Sequence, residues 1–126
     1  MSVVHLSADQ FADTIADNDT VVLDFWAEWC GPCRAFAPIF EAAAAAHPDV
    51  VFAKVNTDEE QEIAAHFQIR SIPTLMVFRE QIIVFSQPGA LPQGAFEEVV
   101  SKTKSLDMEM VRKQIAEQEA AEGSPQ

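Results

Sequence analysis

The stretch Phe25-Trp26-Ala27-Glu28-Trp29-Cys30-Gly31-Pro32-Cys33 decides how this chain is read. It follows directly from the apolar run that begins at Val21-Val22-Leu23-Asp24, and it holds both cysteines of the protein. A run of that kind suits a central strand buried on both faces. Pro32 cannot continue a strand, but it fits the first turn of a helix, where its missing N–H is no loss. A helix is therefore predicted from about Pro32 to Ala46, with Cys30 at its N-terminal edge. Unpaired backbone N–H groups and the positive end of the helix dipole favour a thiolate there. Cys33 lies three residues on, one turn into the helix and on the same side. The spacing lets the two sulfurs meet. It makes Cys30 the exposed, attacking thiol and Cys33 the more buried, resolving thiol.

With no other cysteine in the chain, the simplest chemistry is a disulfide that opens and closes. Two other readings stand beside it: a pair of core cysteines, and a zinc half-site. Tetrahedral zinc needs four ligands, or three and a water. The remaining soft candidates, His5, His47 and His66, are scattered without partner spacing, so no metal is expected.

The residues around the cysteines extend the pattern. Asp24 stands in the strand before them, Pro38 in the helix after them and Lys54 in the next apolar strand. Ile72-Pro73-Thr74 and Gly89 follow in that order. Together with Trp29-Cys30-Gly31-Pro32-Cys33, these residues resemble the thioredoxin family over roughly residues 1–104. A lowered thiol pKa is itself a known property of that family's motif. The resemblance implies a thioredoxin-like α/β fold: a central mixed β-sheet flanked by helices on both faces. It implies a protein-disulfide reductase working by dithiol–disulfide exchange, with no bound cofactor. The partners it implies are disulfide-containing proteins and a flavin- and NADPH-dependent thioredoxin reductase. Asp24 would accept and return the proton of Cys33, and Lys54 would modulate it. Pro73 would be cis and pair its backbone with an extended substrate segment. Trp29, Gly31, Pro32, Ile72 and Gly89 would complete the substrate groove. Two other classes are weighed against this one. A disulfide oxidase or isomerase is disfavoured by Gly31-Pro32 between the cysteines, and a binding clamp would leave the thiols incidental.

Read from the residues alone, Asp24 is the only charge in an apolar strand. Desolvation should raise its pKa unless backbone, water or an edge position satisfies it. Lys54 reads equally as a solvated strand-end lysine, Pro73 as a trans proline opening a strand, and Trp26 as core packing.

The chain has 126 residues, of which 48% are hydrophobic, enough for one domain with its own core. A net charge of −12 argues against nucleic acid or anionic membrane as partners through a general basic surface. Met1-Ser2-Val3-Val4-His5-Leu6 lacks the pattern of a signal peptide, and no stretch is long enough to span a bilayer. The expectation is a cytoplasmic monomer.

In chain order, residues 3–6 form a short strand, and Ser7 caps a helix with Phe11, Ala12 and Ile15 on one face. Residues 50–55 form a strand parallel to 21–26 across the intervening helix. Thr57 or Asp58 caps a helix ending near His66. Thr74 to Phe78 and Ile82 to Phe85 form a hairpin, although Glu80-Gln81 suits the positive φ of a tight turn poorly. A closing helix over about Pro92 to Lys104 turns Phe96, Val99 and Val100 inward. Residues 1–104 make the domain, and residues 105–126 a helical extension. Asp107 caps that extension, Met108, Val111 and Ile115 share its apolar face, and Glu119 to Gln126 are a polar tail.

Overall fold

A computed structural model describes residues 3–123. Its elements are β1 (Val3–His5), α1 (Ala8–Asp17), β2 (Thr20–Trp26), α2 (Gly31–Ala46), β3 (Val51–Asn56), α3 (Gln61–His66), β4 (Thr74–Arg79), β5 (Ile82–Pro88), α4 (Gln93–Lys104) and α5 (Met108–Glu122). The strands form one mixed sheet in the order β1-β3-β2-β4-β5. β1, β3 and β2 run parallel, and β4 and β5 are antiparallel to their neighbours. The sheet thus has the mixed, helix-flanked architecture that the resemblance implies, with the apolar run at 21–26 as its central strand.

β2 lies in the middle and is buried on both faces from Thr20 to Phe25. Its side chains alternate between two cores. Val22 meets Phe36 and Phe40 of α2 and Phe96 of α4. Val21, Leu23 and Phe25 meet Phe11 of α1, Ile63 of α3 and Phe67. Each core is built on phenylalanine. On the α2/α4 face, neighbouring rings of Phe36, Phe40, Phe52 and Phe96 lie 5.2–6.3 Å apart. On the other, Phe11, Phe25, Phe67 and Phe78 lie 5.6–6.5 Å apart. Such ring contacts add stability beyond the area they bury. By the same alternation, Asp24 shares the α2/α4 face with Val22.

Several element ends differ from expectation. Ser7 occupies the N-cap position of α1, but its side chain caps nothing. The N–H of Ala8 donates instead to the carboxylate of Glu60 at 2.9 Å. α3 starts at Gln61, not at Thr57 or Asp58. The side chain of Asn56 accepts from the N–H groups of Asp58 and Glu59 at 2.9 and 3.2 Å. That local turn delays the helix. β5 continues past Phe85 to Pro88. At the other end of the chain, Asp107 accepts from Met110 N at 3.1 Å and caps α5 as expected. Met108 is buried, and Val111 and Ile115 are half-buried. The helix persists through Glu122, so the residues from Glu119 read as polar tail are helical that far. The rest of that tail, residues 124–126, and the first two residues lie outside those described. No helix among the described residues is long and apolar enough to cross a membrane.

The hairpin turn also departs from its sequence reading. Glu80 and Gln81 have φ of 51° and 70°, the left-handed pair that a primed two-residue turn requires. Tertiary contacts hold Glu80 there. The N–H of Glu80 donates to Asp19 O at 2.7 Å, and its carboxylate pairs with Arg112 of α5. Gln81 makes no such contact and carries the larger φ. Gln81→Gly should therefore stabilise the fold by about 0.5–1 kcal/mol, since glycine adopts this φ without steric cost. Urea melts of the two proteins measure it, and a less stable variant would contradict the assignment.

Candidate active site

The site is built where β2 ends. The carbonyl of Trp26 accepts from the N–H of Thr57 at 2.9 Å and from its hydroxyl at 3.2 Å. The chain then turns, closed by Cys30 N donating to Ala27 O at 3.2 Å. Cys30 becomes the N-cap of α2, and its Sγ accepts the N–H of Cys33 at 3.2 Å. A backbone donor at the helix start thus points at the sulfur, the arrangement that favours negative charge there once the disulfide opens. Cys30 and Cys33 are joined as a disulfide with Cα atoms 5.2 Å apart.

The expectation of an exposed Cys30 needs correction. Cys30 is 4% exposed and Cys33 1%. Cys33 is the deeper, but both are buried. The cause is the loop before β4. The carbonyl oxygen of Ile72 lies 3.7 Å from Cys30 Sγ, and the Ile72–Pro73 peptide bond is cis. Pro73 O accepts from Gly89 N at 2.7 Å. Gly89 has a φ of 97°, a conformation that side-chain-bearing residues adopt only under strain. Around this loop stand the other expected groove residues. Gly31 and Pro32 are exposed at the start of α2. Trp29 is 68% exposed, and its indole N–H donates to Asp58 at 2.9 Å. Trp29 and Ile72 line a cleft of about 170 Å³ with Thr57, Ile69, Arg70 and Ser71. A larger cleft of about 530 Å³ lies between α1 and α3, on the sheet face away from Asp24.

Asp24 is fully buried, and neither carboxylate oxygen has a hydrogen-bond partner. Burial pushes its pKa up from 3.8 to about 7, against an opposing pull from Lys54. Lys54 is the register partner of Asp24 on β3. It is itself buried, with Nζ 4.4 Å from the centre of the Trp26 ring. Lys54 is therefore not a solvated strand-end lysine. Trp26 is only half-buried and serves as a platform for that cation rather than as plain core packing.

Comparison with known proteins agrees with this geometry. The family model described as Thioredoxin matches residues 2–102. A Streptomyces coelicolor protein described as a thioredoxin 2 is 53% identical over 122 residues, covering 97% of this chain and 91% of its own length. The thioredoxin of Mycoplasma pneumoniae is 41% identical over 96 residues, 76% of this chain and 94% of its own. Among solved structures, a mutant thioredoxin of Halobacterium salinarum superposes with a TM-score of 0.78 at 30% identity, covering 83% of this chain and 93% of its own.

The chain belongs to the thioredoxin family. As a thioredoxin-family protein carrying the Cys30–Cys33 pair, it is a protein thiol–disulfide oxidoreductase.

Two features of this thioredoxin-type site escaped the sequence reading. Asp58, read as a helix cap, holds the Trp29 indole instead. Arg34, which had no assigned role, donates to Glu28 O at 2.7 Å and fastens the turn before Cys30. The signal for Arg34 was its place directly after Cys33. For Asp58 there was none, because the contact spans 29 positions.

The state of Asp24 has a consequence for stability. Its folded pKa lies above its unfolded value, so ionisation opposes folding. The penalty is absent below the unfolded pKa of about 3.8. It grows by about 1.4 kcal/mol per pH unit until the folded pKa is passed, then levels off. Asn has a similar shape and no titration. Asp24→Asn should therefore gain about 2–3 kcal/mol more stability at pH 8 than at pH 5. Urea melts of the oxidised proteins at both pH values decide it. A difference flat with pH would mean that Asp24 ionises freely in the fold.

Proposed function

We propose that this protein reduces disulfides in protein substrates, with Cys30 as nucleophile and Cys33 as resolving thiol. The observation that carries this reading is the position of Cys30. It is the N-cap of α2, with Cys33 N–H aimed at its sulfur and Cys33 buried behind it. In the reduced protein, the Cys30 thiolate attacks one sulfur of a substrate disulfide. A Cys30–substrate bond forms, the substrate S–S bond breaks, and the first substrate sulfur leaves as a thiolate. Cys33 then passes its proton to the Asp24 carboxylate and attacks Cys30 Sγ. The internal disulfide forms and the second substrate thiolate departs, taking up the proton that Asp24 returns. Two electrons have moved to the substrate. A carboxylate with a pKa of about 7 is matched to that exchange at neutral pH. Lys54 modulates it by favouring the ionised form.

The substrate segment lies along the groove formed by Trp29, Gly31, Pro32, Ile72, Pro73 and Gly89. A flavin- and NADPH-dependent thioredoxin reductase returns the dithiol, and the protein itself holds no cofactor. It acts as a cytoplasmic monomer, in electron transport between that reductase and its substrates, without nucleic acid or membrane. Residues 1–104 form the catalytic domain and residues 105–126 an appendage. In support, 96 residues of this chain account for 94% of the Mycoplasma pneumoniae relative.

NADPH-coupled reduction of insulin disulfides in the presence of thioredoxin reductase tests the activity. No turnover would refute it. Within that assay the roles separate. Cys33→Ser should accumulate mixed disulfides on a non-reducing gel, and Cys30→Ser should trap almost nothing. The reverse pattern would exchange the two assignments. Deletion from Ser105 onward should leave turnover within a few-fold of the full chain. It should cost stability of roughly 2 kcal/mol, because Met108 is lost from its buried site. A folded truncation without activity would place α5 in the catalytic machinery.

A further inference from the structure

The chain carries 20 acidic and 8 basic residues. Among the described residues, four of those eight cations are tied to carboxylates: Arg79 to Asp19, Lys102 to Glu98, Lys104 to Asp49 and Arg112 to Glu80. Lys54 is buried against Trp26, and Lys113 lies out on α5. The remaining two, Arg34 and Arg70, are exposed and make no ion pair. Both stand at the disulfide, on different elements. Arg34 follows Cys33 in the first turn of α2, and its guanidinium is held by Glu28 O. Arg70 lies two residues before Ile72, whose carbonyl touches Cys30 Sγ.

Arg70 is the only ionised side chain among the six residues lining the cleft beside Cys30. Four acids stand nearby, and none forms an ion pair with either arginine. Asp58 holds the Trp29 indole. Glu28, Glu59 and Glu60 line a separate cleft with Lys54. Two guanidinium groups free of ion pairs thus stand beside the disulfide in a chain whose net charge is −12.

We propose that Arg34 and Arg70 set substrate preference, selecting disulfides flanked by Asp or Glu. This rests on the reductase reading above. A substrate sulfur bonded to Cys30 extends its chain in two directions, over the Trp29–Ile72 cleft toward Arg70 and over the start of α2 toward Arg34. A carboxylate on either side meets a cation that no carboxylate already holds, although Arg34 also donates to Glu28 O. A lysine there meets two like charges. Elsewhere the surface repels acidic segments, so the attraction is confined to the reacting end.

The test uses the reduced protein and disulfide-linked peptides that differ only in the residues flanking cysteine: Glu, Gln or Lys. Single-turnover rates are each divided by the rate with dithiothreitol, an uncharged dithiol that corrects for intrinsic disulfide reactivity. The expected order is Glu, then Gln, then Lys. The Glu-to-Lys ratio should be about ten at low ionic strength and approach unity in 1 M salt. In the Arg34→Gln, Arg70→Gln double variant the ratio should fall below one, as the net charge of the whole chain takes over. Because it is a ratio within one protein, a general loss of activity cancels. A wild-type ratio at or below one, a ratio indifferent to salt, or one that survives the double substitution overturns the preference alone. Failure to reduce any of the peptides overturns the reductase reading and the preference with it.

Discussion

A helix begins with backbone N–H groups that have no partner within the helix. At the start of α2, one of these donors is met by a sulfur. Cys30 Sγ takes the N–H of Cys33, the place usually filled by a serine or aspartate oxygen. The rest of the molecule is arranged so that this can happen. β2 must stop at Trp26, and Thr57 holds its last carbonyl. The chain must then turn within four residues and enter the helix. α2 must lie flat on the sheet, as the packing of Phe36 and Phe40 against Val22 ensures. A weak cap is tolerated because packing of the apolar face, more than propensity, holds a helix of this kind.

The same geometry explains why a costly carboxylate is kept in the sheet. Asp24 lies two residues before the end of β2, on the face covered by α2. Neither oxygen is hydrogen-bonded, so its ionised form is opposed by burial and eased only by Lys54. Lys54 is in turn steadied by the Trp26 ring. Cation, ring and carboxylate come from two adjacent parallel strands in fixed register. A shift of one residue would turn Asp24 and Lys54 to the other core. The phenylalanine clusters on both faces oppose that shift.

Much of this was legible in the chain because it is local. The apolar run at 21–26, Pro32 behind the cysteine and the spacing of Cys30 and Cys33 act within a few residues of one another. The mixed sheet and the helices on both faces follow from those signals and the resemblance. What could not be read depended on distant partners. Glu60 caps α1 from 52 positions away, and no local pattern announces it. Glu80 accepts a left-handed φ because Asp19 and Arg112 hold it. The start of α3 was misplaced for a nearer reason. Asn56 offered the backbone a rival hydrogen bond, so Thr57 and Asp58 were free to serve Trp26 and Trp29.

The site residues divide along the same line. Cys30, Cys33 and Asp24 are identifiable from their immediate neighbours. The burial of Cys30 is not, because it is imposed by Ile72, 42 positions later. With the disulfide closed, only 4% of Cys30 is exposed. Trp29 and Arg70 line the cleft on the Ile72 side, and Arg34 lies in the first turn of α2. The helix thus supplies the donor at Cys30 Sγ, and the loop supplies the carbonyl that covers it. The two contacts come from different elements that meet at the sulfur.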